Sequence, residues 1–177
     1  VIGGGDWAED RIVPDCIRSW SKNETLSIRN PLSTRPWQHV LEPLSGYLLL
    51  GANLFKSKID NGAVFNFGPK KGINLNVGEL ISLMSKRWPH SKWTHDVTDE
   101  SMIKESNLLE LNCEKANKLL KWYPALESSE MANMTLDWYM TYSKDKASMY
   151  DYSSKQISEY INIAKNIKIN WAIKDDF

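Results

Sequence analysis

Apolar residues recur at helical spacing at Ile12, Val13, Cys16, Ile17 and Trp20, which predicts a helix over residues 11–22 with Asp10 as its cap. Pro14 falls in the first turn, where a missing N–H costs little. Residues 25–29 read as a short strand, 30–33 as a turn and 36–41 as a second extended piece. Glu42 and Pro43 open a helix to about Lys56, with a leucine-rich face at Leu44, Leu48, Leu49 and Leu50 and a carboxylate where the helix dipole favours one. Asn61-Gly62 is a turn signal, and the apolar run 63–67, ended by Gly68-Pro69, predicts a strand buried on both faces. Asn76 is the expected cap of a helix over 77–88. Residues 93–97 and 108–111 read as short strands, and Asn112 caps a helix over 114–121 that Trp122-Tyr123-Pro124 ends. Ser128-Ser129-Glu130 starts an amphipathic helix reaching about Lys146. The remaining residues are polar, with a weak helix near 154–166, so the pattern divides the chain into a unit over 1–146 and a loosely packed tail over 147–177.

Helices and strands alternate without an internal repeat, which predicts an α/β protein. A complete doubly wound sheet needs about six strands, and this chain offers fewer. Its opening, Val1-Ile2-Gly3-Gly4-Gly5-Asp6-Trp7, reads as the end of a strand running into a glycine-rich turn. Both features lead us to expect the back half of a larger protein, with an incomplete sheet.

Composition narrows the classes. The 177 residues are 42% hydrophobic, enough for a core, and carry 22 basic and 22 acidic side chains for a formal net charge of zero. No strong charge bias draws the chain toward nucleic acid or an anionic membrane, and no apolar stretch is long enough to span a bilayer, so we expect neither partner and a cytoplasmic protein. Cys16 and Cys113 have no CxxC spacing and are expected to be free thiols. Eight tryptophans supply large apolar areas of the kind that also line sugar and nucleotide pockets.

Few residues point to chemistry by pattern alone. Gly3-Gly4-Gly5 lacks both the dinucleotide fingerprint and the P-loop lysine, leaving a turn that needs positive φ or a close backbone approach to a ligand. Arg11 and Arg35, each beside apolar residues or proline, make a candidate phosphate clamp, against the alternative of two solvated surface arginines. Tyr142 and Lys146 form a Tyr-x-x-x-Lys at a polar helix end, read as chance. His39, His90 and His95 show no metal-ligand spacing, and His39 reads as a hydrogen-bonded core residue. Glu105 and Asn107 sit before a predicted strand, placed either to meet a ribose or base edge or in a plain loop.

Longer strings carry a family pattern. Val-Ile-Gly-Gly-Gly-Asp-Trp at 1–7, Asp-Arg-Ile-Val-Pro-Asp at 10–15, Thr-Arg-Pro-Trp-Gln-His-Val at 34–40, Glu-Pro-Leu-Ser-Gly-Tyr at 42–47, Phe-Asn-Phe-Gly-Pro at 65–69 and Trp-Tyr-Pro at 122–124 stand in order. Together they resemble the C-terminal half of the nucleotide-sugar 4,6-dehydratases of the extended short-chain dehydrogenase/reductase superfamily, and among these the enzymes acting on CDP-glucose. The resemblance runs from Val1 to about Tyr139.

It implies the C-terminal part of an extended Rossmann-like fold: the last strands of a parallel sheet plus the lobe that binds the nucleotide-sugar. An N-terminal lobe would hold NAD and the catalytic Tyr-x-x-x-Lys, so no catalytic residue is expected here, and backbone near Val1 is the one candidate for cofactor contact. The family reaction oxidises C4 of glucose, eliminates water across C5–C6 and returns the hydride to C6, giving CDP-4-keto-6-deoxyglucose, a precursor of bacterial surface polysaccharides. Carried over by position, Arg11 faces the sugar-phosphate, Ile12 adds apolar and backbone contact, Arg35 grips the diphosphate and Ile28 flanks the base. Asn66 lies near the nucleotide, and Glu105 and Asn107 near ribose and phosphate. Lys104 stands where relatives often have His, a departure beside Glu105. The full-length protein is implied to be a homodimer, and this chain alone inactive. Two alternatives stay open: an epimerase, decarboxylase or reductase of the same superfamily, and a non-catalytic nucleotide-sugar-binding module.

Overall fold

The computed structural model describes residues 1–95 and 109–173. Helix α1 (Ile12–Ser21) leads into β1 (Thr25–Ile28), then β2 (Thr34–Arg35) and helix α2 (Leu41–Phe55). Strand β3 (Leu75–Asn76) runs directly into α3 (Val77–Ser85), followed by β4 (Lys92–His95). A π-helical turn (Ala116–Leu120) precedes α4 (Ser128–Lys144), α5 (Met149–Asn166) and the short α6 (Asn170–Ile173). The strands form two small sheets: β1 pairs parallel with β4, Thr25 opposite Lys92 and Ile28 opposite His95, and β2 pairs antiparallel with β3, Arg35 opposite Leu75. The mixed α/β architecture with a small parallel sheet is the one the alternating pattern predicts.

The main core joins α1, β1, α3 and α4, and two smaller clusters pack α5 and the π-turn. Cys16, Ile17 and Trp20 of α1 meet Leu26 and Ile28 of β1, Leu80, Ile81 and Met84 of α3, and Leu136 and Tyr139 of α4. Trp20 also donates Nε1–H to the Lys92 carbonyl at 3.0 Å, tying α1 to β4. Helix α3 carries the predicted start: the Asn76 side chain accepts from Glu79 N and the Glu79 carboxylate accepts from Asn76 N, both at 2.8 Å, a reciprocal capping box. The π-turn begins after Asn112, whose Oδ1 accepts from Glu114 N at 2.9 Å, and stops at Lys121 in the left-handed conformation.

Four expectations change. Asp10 sits at φ +59° and does not cap α1; Arg11 holds the cap position, with no side-chain hydrogen bond there. Residues 63–67 form no ladder with any strand among the described residues. Val64 is 78% exposed, and the run alternates about Phe67, which is buried against Trp122. Leu109–Leu111 likewise runs without a strand partner among the described residues, and the predicted strand beyond His95 lies outside them. The leucine-rich face of α2 is split: Leu48 is 71% and Phe55 91% exposed, Leu49 and Leu50 are half-buried against the cluster of Phe67 and Trp122, and Glu42, Pro43 and Gly46 are buried. Gly46 faces inward because the Phe67 ring occupies the space where a Cβ would stand, 2.4 Å from its Cδ1.

The C-terminal segment is a packed element rather than a loose tail. α5 runs eighteen residues, and Gln156, Tyr160 and Ala164 are buried in it. The Tyr160 hydroxyl donates to Glu42 Oε2 at 2.8 Å, and Gln156 Nε2 donates to the Met134 carbonyl at 2.7 Å. Glu42 also accepts from the backbone N–H of Ala125 and Leu126, and burial raises its pKa above the usual carboxylate value. The polar composition of residues 147–177 hides these contacts, because they fall on one face of the helix. No helix among the described residues is long and apolar enough to cross a membrane.

Candidate functional site

A cleft of about 500 Å³ opens where the first residues, the start of α1, strand β2 and the start of α3 meet. Arg11, Ile12, Arg35, Trp37, Asp6 and Leu109 are among its walls. Three of the residues singled out from the sequence therefore come together, although Arg11 and Arg35 lie on separate elements.

Each arginine is placed by backbone structure. The N-terminal end of α1 faces the cleft through Ile12, Val13 and Pro14. No side chain caps that end, so its partial positive charge is added to the Arg11 guanidinium beside it. Arg11 reaches toward the Asp6 carboxylate, Nη1 to Oδ2 3.6 Å, with its side chain still 63% exposed. Arg35 belongs to the β2–β3 pairing, and its Nη1 donates to the Thr34 carbonyl at 2.8 Å. Trp37 is fixed by its Nε1–H bond to the Leu75 carbonyl at 3.1 Å. Two guanidinium groups and a helix N-terminus around an apolar wall suit a phosphate-bearing ligand with a less polar part.

The opening glycines are packing devices. Ile2 N donates to the Gln38 carbonyl and Val40 N to the Ile2 carbonyl, both at 2.8 Å, so the chain start is bridged in parallel to residues 38–40. Gly5 turns at φ +83°, the positive-φ reading of this stretch. Gly4 lies against the Trp138 indole, and a Cβ there would stand 1.9 Å from Trp138 Cγ. Tyr139 OH donates to the Asp6 carbonyl at 2.6 Å, while Arg18 donates to the Trp7 and Ala8 carbonyls at 3.0 and 3.1 Å. A turn filled by tryptophan leaves no cradle for a dinucleotide pyrophosphate, so Gly3, Gly4 and Gly5 do not fit an NAD site, and Val1, the candidate for cofactor contact, is a wall of the arginine cleft.

The other candidates separate. Ile28 is buried in the core on β1 and is not a wall of the cleft. Asn66 is exposed and donates Nδ2 to the Asn112 carbonyl at 3.3 Å, away from the arginines. Glu105 and Asn107, and Lys104 beside them, lie outside the described residues. Tyr142 stacks on Trp138 with centroids 5.4 Å apart, and Lys146 Nζ sits 5.2 Å from the Tyr142 ring centroid, a packing use of the Tyr-x-x-x-Lys. His39 is buried, accepts at Nδ1 from Leu41 N at 3.3 Å, and is pushed down to a pKa of about 4 by burial. Cys16 and Cys113 are free. Among the described residues no group of three His, Cys, Asp or Glu is placed to hold a metal.

Reasoning from sequence passed over Asp6, Asp10 and Leu109 as cleft residues. Asp6 stands in the Gly-Gly-Gly-Asp-Trp string, and only the fold shows that it turns back toward Arg11. A second cleft of about 480 Å³ contains Lys70, Lys71, Cys113 and Tyr123. Its lysines are ion-paired to Glu127 and Glu114, and, like the arginine cleft with Asp6 and Asp10, its walls hold as many acidic as basic side chains.

Comparison with known proteins supports the reading of the motifs. The chain is 37% identical over 163 residues to the CDP-glucose 4,6-dehydratase of Salmonella typhimurium. It is similar in sequence to a nucleotide-sugar dehydratase over nearly its whole length. The alignment covers 92% of this chain and 45% of that enzyme, so the chain spans under half its relative's length, consistent with the C-terminal part. No family model matches the chain. Among solved structures, the UDP-glucuronic acid 4-epimerase of Bacillus cereus in complex with UDP-glucuronic acid and NAD superposes with a TM-score of 0.59 at 20% identity, over 75% of this chain and 40% of the epimerase. A tyrosine-to-phenylalanine mutant of the same epimerase, with a fluorinated UDP-sugar and NAD, gives 0.59 at 18% identity, over 80% and 43%. The fold of this dehydratase relative is thus part of the extended short-chain dehydrogenase/reductase fold.

Proposed function

We propose that the chain is the substrate-binding part of a nucleotide-sugar 4,6-dehydratase that converts CDP-glucose to CDP-4-keto-6-deoxyglucose. The observation that carries this reading is the convergence of Arg11, Ile12 and Arg35 on one cleft at the uncapped start of α1. In it the two guanidinium groups hold the diphosphate, with Arg11 toward the sugar side, while Ile12 and Trp37 bound the ligand's less polar surface. By their position in the family pattern Glu105 and Asn107 extend the nucleotide contacts, while Ile28 and Asn66 lie off this cleft. NAD and the acid/base residues belong to polypeptide beyond this chain, in keeping with the filled glycine turn. The apolar outer face of α2 and the run 63–67, which pairs with no strand among the described residues, support this, since both are surfaces that further polypeptide would bury. The whole enzyme is a homodimer working in the cytoplasm, in the supply of deoxysugars for surface polysaccharides, and the 177-residue chain alone is inactive.

Calorimetric titration with CDP-glucose, dTDP-glucose, CDP and free glucose tests the reading. CDP-glucose should bind more tightly than dTDP-glucose, and free glucose not at all. Equal affinity for glucose and CDP-glucose, or none for any nucleotide, refutes it.

A further inference from the structure

We propose that Asp6 is the resident counter-ion of Arg11, a fixed carboxylate that an incoming diphosphate must displace and that thereby sets the affinity of the cleft. The inference rests on the reading of the cleft as a diphosphate site and adds a residue of opposite sign to it.

Asp6 is held in place from three directions. Its own Oδ1 accepts from Ala8 N at 3.0 Å, its carbonyl accepts from Tyr139 OH at 2.6 Å, and Arg18 clasps the carbonyls of the next two residues. The second oxygen, Oδ2, is left facing Arg11 Nη1 at 3.6 Å. Both side chains are walls of the same cleft. The separation is longer than a good charge-assisted hydrogen bond, and Arg11 is more exposed than Asp6, so the pair is weak and easily exchanged. The carboxylate is the anchored member and the guanidinium the mobile one.

A diphosphate carries at least two negative charges and accepts at several oxygens, so it outcompetes one carboxylate for the guanidinium. Asp6 cannot retreat, and its charge stays within several ångströms of the bound phosphate. A unit charge at such a distance in a largely aqueous setting changes affinity by about threefold per interacting charge, less at high salt. The carboxylate therefore penalises any anion too weakly charged to take Arg11 from it, and it holds Arg11 across the cleft mouth before the ligand arrives.

The test is the Asp6→Asn variant, which keeps Oδ1 for Ala8 N and removes only the charge. Binding of CDP-glucose and of inorganic pyrophosphate is measured by calorimetry at low salt for the wild type, Asp6→Asn, Arg11→Gln and the double variant. Asp6→Asn should bind both ligands at least about threefold more tightly, and the gain should shrink in the Arg11→Gln background to what repulsion by the Asp6 charge alone supplies. Unchanged or weaker binding by Asp6→Asn, with the wild type binding normally, overturns the counter-ion role while leaving the diphosphate site standing. A gain as large without Arg11 as with it also overturns it. If neither wild type nor Asp6→Asn binds either ligand, the diphosphate reading fails and the counter-ion role with it.

Discussion

The two sides of this molecule use similar residues to opposite effect. On one, α1, β1, α3 and α4 enclose Trp20, Leu80, Leu136 and Tyr139 almost completely. On the other, α2 turns Leu44, Leu48 and Phe55 to solvent and buries a carboxylate, Glu42. The arginine cleft sits on the enclosed side, where Tyr139 of the core pins the Asp6 carbonyl. A site that must hold two guanidinium groups in place needs a rigid base. A face that further polypeptide would cover needs only to be apolar.

The largest contrast is in side-chain deletion. Leu80→Ala should destabilise the chain by about 2–5 kcal/mol in chemical denaturation. Leu48→Ala should move it by less than about 0.5 kcal/mol. Equal effects would mean that the outer face of α2 is buried in solution and would erase the comparison.

Glu42 is where the two sides are joined, through Ala125, Leu126 and Tyr160. Glu42→Ala leaves buried donors without an acceptor and should cost about 3 kcal/mol. Tyr160→Phe removes the hydroxyl's contacts with Glu42 and Ser45 and should cost about 1–2 kcal/mol. An unaltered melting temperature for Tyr160→Phe would show α5 undocked.

His39 gives a pH signature on the enclosed side. Its folded pKa, about 4, is lower than the ordinary 6.5, so the unfolded chain takes up a proton first as pH falls. The stability it contributes is full above about pH 6.5 and is lost progressively toward pH 4, by about 3 kcal/mol over that window. Glu42 runs the other way: its pKa is raised by burial, so acid relieves a penalty there. Comparing unfolding free energies at pH 7 and 4.5 for the wild type and His39→Gln isolates the histidine. The wild type should lose more, and parallel losses would contradict its burial as the neutral form.

Much of this was legible in the chain. The α3 start was, because Asn76 and Glu79 stand at capping-box spacing, and so was the pairing of Arg11 with Arg35 as candidates, because only a guanidinium combines permanent charge with a bidentate fork. The orientation of α2 was not. A helix apolar on all sides gives no periodic signal for its inner face, and Glu42 finds Tyr160 at a separation of 118 residues. The fate of residues 63–67 depends in the same way on neighbours that composition does not show. Asp6 escaped notice because a carboxylate next to a glycine turn looks like any surface acid until the turn is folded back on α1.

The affinity of Arg35→Gln for CDP-glucose tests the diphosphate site most directly. Arg35 lies on the rigid side, anchored in the β2–β3 pairing, and loss of its guanidinium should weaken binding by about tenfold or more while leaving the melting temperature nearly unchanged. Binding of CDP-glucose by Arg35→Gln as tight as by the wild type would contradict the assignment of this cleft as the diphosphate site.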